Sequence, residues 1–215
     1  MIAADNIIAS NLELEPNIAA VHRDLFRADK LGAKQIVVNE NMFAAAVAEA
    51  QRAGLGVQVV PAVGFPIGQW FWPMKLTAIR AFEALRAGPV LVMHSVGSWL
   101  DRTDAAETEA NGIRDLKGQK WLMTSLSLIP PDRLDELADD VTSMGVEALF
   151  LSNGVAASKI PAPESELIGV IRKVAAGRFK IVARPEAGAG EAVAKSALDA
   201  GADAICSDDF WQLSE

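Results

Sequence analysis

Residues 145–154 read G-V-E-A-L-F-L-S-N-G: a glycine, a run of apolar residues, and a stop made of small polar residues. Glycine is favoured just past a helix because that position calls for a left-handed backbone. A short continuous apolar run is what a strand covered on both faces requires. The same unit recurs along the chain. It stands at Gly32 with Q-I-V-V-N, at Gly56 with V-Q-V-V-P, at Gly88 with P-V-L-V-M-H and at Gly118 with Q-K-W-L-M-T. It returns at Gly177 with F-K-I-V-A-R and at Gly201 with D-A-I-C-S-D.

These seven glycines mark seven expected helix ends, roughly 24 to 32 residues apart, which is the length of one βα unit. Adding an opening strand over Asn6-Ile7-Ile8-Ala9 gives eight strands. Regular βα alternation repeated eight times predicts an α/β fold of the (β/α)8 TIM barrel type, a single domain over residues 1–215. Helices are predicted over Phe43–Arg52 from its alanine content, over Pro73–Arg86 from its opening proline, and from Pro131 onward from its early acidic residues. The last helix, from Phe210, is expected to be short.

Composition narrows the partners. The chain carries a net charge of -8 with 51% hydrophobic residues, so nucleic acid and anionic membranes, which demand a basic face, are not expected. Cys206 is the only cysteine, which excludes an intrachain disulfide and points to a reducing, cytoplasmic setting. The opening M-I-A-A-D-N lacks a basic region followed by an apolar core, so no targeting segment is expected.

In such barrels the loops after the strands build the active face. The segment V-V-P-A-V-G-F-P-I-G at residues 59–68, followed by Lys75, resembles the deoxyribose-phosphate aldolase family, in which a Gly-Phe-Pro-Leu-Gly loop follows the third strand and a lysine follows the loop. Val37-Val38-Asn39, residues 145–154 and A-G-A-D-A-I-C-S at 200–207 are similar to further segments of that family, in the same order. The resemblance runs from about residue 7 to 209 and implies the family's TIM barrel.

It also implies where chemistry is missing. Family members work through a Schiff-base lysine, helped by an aspartate and a second lysine. Those positions fall here on Phe150, Val92 and about Val182, so imine chemistry is not expected. The family's phosphate end falls on Pro185-Glu186 and Asp208-Asp209, whose carboxylates would repel a phosphate dianion. The ligand implied is a small, non-phosphorylated carbonyl or carboxylate compound.

Strand side chains alternate, so residues two beyond those positions are expected on the same side, one layer nearer the rim. They are His94, Ser152 and Arg184. His94 is a candidate acid or base, Arg184 a carboxylate clamp, and Lys75 a further working residue. Alternatively Arg184 pairs with Glu186 or Asp208 as a polar plug. Asn39, Ser152, Asn153, Glu186, Asp208 and Trp70 are the candidate binding residues.

No cofactor is implied. A metal site drawn from His94, Asp208, Asp209 and Glu40 lacks ligand spacing. Two readings of the Trp70-Phe71-Trp72 loop stand: an apolar wall over a substrate, or a surface packed against a subunit of a homo-oligomer or the loop carrying Trp99. The functional expectation is a lyase-type enzyme; the alternative is an inactive homologue that binds a metabolite or a partner.

Overall fold

The structure, a computed structural model, describes residues 2–12, 17–66, 68–85, 87–152, 164–186 and 188–213, with residues 164 and 165 described by backbone only. Eight parallel strands close on themselves in the order β1 to β8. They are β1 Ile7–Asn11, β2 Gln35–Asn39, β3 Gln58–Val63, β4 Val90–Met93, β5 Lys120–Ser125, β6 Ala148–Ser152, β7 Lys180–Arg184 and β8 Ala204–Ser207. Pairing of β1 with β8 through Ile8 and Cys206 seals the barrel.

Around it run α1 Ile18–Leu31, α2 Phe43–Ala53, α3 Trp72–Ala84, α4 Val96–Leu100, α5 Asp104–Asp115, α6 Leu134–Ser143, α7 Glu164–Ala175 and α8 Gly190–Asp199. A 3-10 turn over Phe210–Leu213 stands where the eighth outer helix belongs, as the short C-terminal segment predicts. The predicted boundaries of α2 and α3 agree with the structure to within a residue or two, and α6 is preceded by a 3-10 turn over Pro131–Arg133. Two glycines depart from the expected helix ends: Gly54, at φ 67°, ends α2 while Gly56 donates its N–H to Asp29, and α3 ends at Leu85, with Gly88 outside the left-handed region. None of the described helices is long and apolar enough to cross a membrane.

Strand side chains divide between two apolar layers. The inner layer fills the barrel with Val37, Val60, Ala62, Leu91, Met93, Trp121, Met123, Ala148, Phe150, Val182 and Cys206. Trp121 and Phe150 meet with ring centroids 5.1 Å apart. The outer layer joins strands to helices and includes Val38, Val63, Val92, Leu122, Leu149, Leu151 and Ile181. Each strand therefore buries both faces, which explains why the segments read as unbroken apolar runs. Phe150 is fully buried and Val182 nearly so.

Candidate functional site

Above the apolar filling the barrel turns polar. Register pairs Ser125 with Ser152 and Ser152 with Arg184, each one alternation beyond an inward residue. Ser10 and Asn39 hold the corresponding places on β1 and β2, and Asp208 follows Cys206 on the eighth. The expectation that Ser152 lies above Phe150 and Arg184 above Val182 agrees with this register.

Asp208 organises the ring. Its Oδ1 accepts hydrogen bonds from Ser10 Oγ at 2.7 Å and from the Leu12 N–H at 3.0 Å, while its Oδ2 accepts from Arg184 Nη2 at 2.6 Å. The pairing expected of the polar-plug alternative is present: Arg184 takes Asp208, while Glu186 is exposed. Asp209 accepts from the Gly188 N–H at 2.7 Å. The protein's own carboxylates thus occupy amides that an anionic ligand at this end would need.

The guanidinium also lies 5.6 Å from the Phe65 ring centre, and its Nε is buried with no hydrogen-bond partner among the described residues. Beside Phe65, the Gly64 N–H donates to Glu40 Oε2 at 3.2 Å. Burial raises the Glu40 pKa above the usual carboxylate value, because the charged form loses hydration that one amide only partly replaces. Beneath the ring, burial pushes the Cys206 thiol up to about 11, which keeps it protonated and inert.

His94 does not join this ring, contrary to the parity expected from the sequence. On β4 it is Leu91 and Met93 that face the interior, whereas Val92 faces the helices. His94 continues the outward side. It is buried beneath α5, with Nδ1 3.4 Å from Thr124 Oγ1 and its ring 5.9 Å from that of Trp99. Burial lowers its pKa to about 4, so it is neutral at neutral pH.

Lys75 also lies away from the mouth. It stands inside α3, within the helix predicted over Pro73–Arg86, and is fully buried. Its Nζ donates to Glu109 Oε2 at 2.5 Å, to the Met93 carbonyl at 2.7 Å and to Ser95 Oγ at 3.0 Å. Desolvation lowers the Lys75 pKa, and the Glu109 carboxylate opposes that shift. Gly68 makes this packing possible: at φ 67°, a Cβ there would sit 2.5 Å from the His94 carbonyl oxygen. All three ammonium protons are engaged inside the protein.

Two clefts flank α5 and share His94 and Glu109. One, about 530 Å3, lies toward α6 and includes Trp99, Arg102 and Asp140. The other, about 620 Å3, lies toward the β3–α3 turn and includes Trp70, Phe71, Ser95 and Leu128. Trp70 therefore belongs with His94, not with Arg184. Trp72 is buried against Gly112, leaving Trp70 and Phe71 as the exposed aromatics of that loop.

The predicted residues thus divide into a mouth group of Arg184, Asp208, Ser152 and Asn39 and a lateral group of His94, Lys75 and Trp70. Asn153 lies outside the described residues. Glu109 was missed, and a signal for it existed. It precedes Ile113 by four positions on a helix whose inward face is otherwise small or apolar. The metal set also divides, since His94 stands apart from Asp208 and Asp209. No three His, Cys, Asp or Glu side chains among the described residues gather as a metal would require.

No family model and no curated protein matches the sequence. Solved structures do. A tetrameric deoxyribose phosphate aldolase from Aeropyrum pernix is 19% identical, with TM-score 0.82 over 98% of this chain and 88% of that one. A deoxyribose-phosphate aldolase assigned from Coccidioides immitis is 15% identical, with TM-score 0.82 over 95% and 81%. A further aldolase is 18% identical, with TM-score 0.82 over 99% and 94%. At these identities the likeness establishes a shared barrel architecture.

Proposed function

We propose that this chain is a divergent barrel of the deoxyribose-phosphate aldolase type, a lyase that works on a small non-phosphorylated compound bearing a carbonyl and a carboxylate, without an imine. The sequence resemblance and the structural likeness point to the same family. The carrying observation is Arg184. It stands on the polar ring at the barrel mouth, is fixed on one side by Asp208, and keeps a buried Nε donor unpartnered among the described residues. Such a donor favours a carboxylate oxygen, because a buried unpaired N–H is costly and a charge-assisted bond to an anion is strong.

Glu40 supplies the acid–base group. Burial raises its pKa above that of an exposed carboxylate, so it holds a proton more readily, and the Gly64-Phe65 turn links it to the arginine. In the cleavage direction Glu40, as carboxylate, takes the proton of the hydroxyl β to the carbonyl. The C–C bond breaks to give an aldehyde and an enolate whose oxygen Arg184 stabilises, and the same carboxyl returns the proton to the enolate carbon. That last step run in reverse exchanges the proton next to the carbonyl. Phosphate esters are disfavoured because Asp208 and Asp209 already fill nearby amides. A second reading, a metabolite-binding barrel without turnover, draws support from the apolar filling at Phe150 and Val182.

Calorimetry with 2-oxobutanoate and with glycerol 3-phosphate tests the ligand class. The oxo acid should bind and Arg184→Met should weaken it at least about tenfold; tighter binding of the phosphate ester would overturn the reading. Deuterium wash-in beside the carbonyl of 2-oxobutanoate, followed by NMR, separates the two readings: exchange that Glu40→Gln abolishes supports the enzyme, and binding without exchange supports the second.

A further inference from the structure

The cleft of about 620 Å3 between the β3–α3 turn and α4–α5 has a character of its own. Its lip is apolar and uncovered: Trp70 is 39% exposed, Phe71 63% and Leu128 51%. Its floor is polar and assembled from fixed groups. Ser95 Oγ accepts from Lys75 Nζ and donates to the Gly68 carbonyl at 2.5 Å or to Glu109 Oε2 at 2.9 Å. The Ser95 N–H donates to Glu109 Oε1 at 3.0 Å.

The charges in this floor cancel. Glu109 and Lys75 form a buried ion pair, so neither presents an unbalanced charge to the cleft. His94 is neutral, and while Nδ1 meets Thr124, Nε2 has no hydrogen-bond partner among the described residues. A charged ligand would lose hydration here with nothing to offset the loss. An uncharged ligand with one polar oxygen meets a hydrogen-bonding floor and flat apolar walls, a combination typical of small-molecule sites.

We propose that this cleft is a binding site for an uncharged, flat aromatic alcohol. Its ring packs among Trp70, Phe71 and Leu128, and its oxygen meets His94 Nε2 and Ser95 Oγ. The site does not include Arg184 or Asp208; Ser125 lines it and also stands on the mouth ring beside Ser152.

The test is isothermal titration of the full chain at neutral pH with 2-naphthol, with 2-naphthoate as the charged counterpart. One saturable site for the alcohol is expected, with the carboxylate at least about tenfold weaker. Trp70→Ala, at an exposed position that circular dichroism can confirm as folded, should weaken 2-naphthol about tenfold, as should His94→Leu, while Arg184→Met leaves it unchanged. No saturable binding, or equal affinity for the carboxylate, overturns the proposal. Unchanged affinity in a folded Trp70→Ala protein also overturns it. A free protein that sediments as a dimer dissociated by Trp70→Ala would assign the lip to a second copy of the chain and overturn it too.

Discussion

Phe150 lies where the resemblance calls for the amine, and the structure gives it a packing role: it is fully buried against Trp121 in the barrel interior. Phe150→Ala should destabilise the protein by about 3–5 kcal/mol in urea unfolding, because a closed barrel cannot collapse onto the vacated volume. Lys75 behaves differently, since its cost is electrostatic. Lys75→Met leaves Glu109 buried without its partner and should cost about 3–5 kcal/mol, most of it recovered when Glu109→Leu is added. His94 sets a pH dependence. The folded protein keeps it neutral down to about 4, while the unfolded chain takes up a proton near about 6.5. Its contribution is therefore complete above the unfolded value and is lost as pH falls toward 4. Roughly 3 kcal/mol should disappear across that window, and His94→Gln should flatten that part of the stability–pH curve.

At the level of elements, strand parity decided what could be read in advance. On β6 and β7 the apolar runs end in Ser152 and Arg184, and alternation from Phe150 and Val182 placed both correctly at the mouth. On β4 the run V-L-V-M is apolar on both faces, so nothing in the sequence marks which residues turn inward. A shift of one residue carried His94 to the wrong side of the sheet, as a two-residue period dictates. The burial of Lys75 is likewise unmarked in the sequence, because it depends on Glu109, thirty-four positions away on α5. That helix rests on few anchors: its buried residues are Glu109 and Ile113, and clefts open on both sides. By contrast α6 buries Leu134, Leu137, Ala138 and Val141. Amides of α5 should accordingly exchange with deuterium faster than those of α6, measured by mass spectrometry on the native protein. Equal protection would mean that α5 is held by more than these contacts.

For the whole molecule, the barrel was legible because one unit repeats eight times and closure needs no further instruction. Its function was less so, since chemistry depends on which few side chains share a cavity, and alternation alone could not divide mouth from flank. The molecule shares its barrel architecture with solved aldolases over nearly its whole length. Inside it, the described interior is apolar from Trp121 to Cys206, and Lys75, the lysine beside the β3–α3 turn, is locked to Glu109. We propose that no lysine of this barrel forms an imine with a carbonyl ligand. Borohydride reduction in the presence of acetaldehyde or 2-oxobutanoate, read by intact mass and peptide mapping, tests it most directly. The account predicts no saturable, one-to-one adduct on any lysine. A single stoichiometric reduced adduct, on Lys75 or elsewhere, would contradict it.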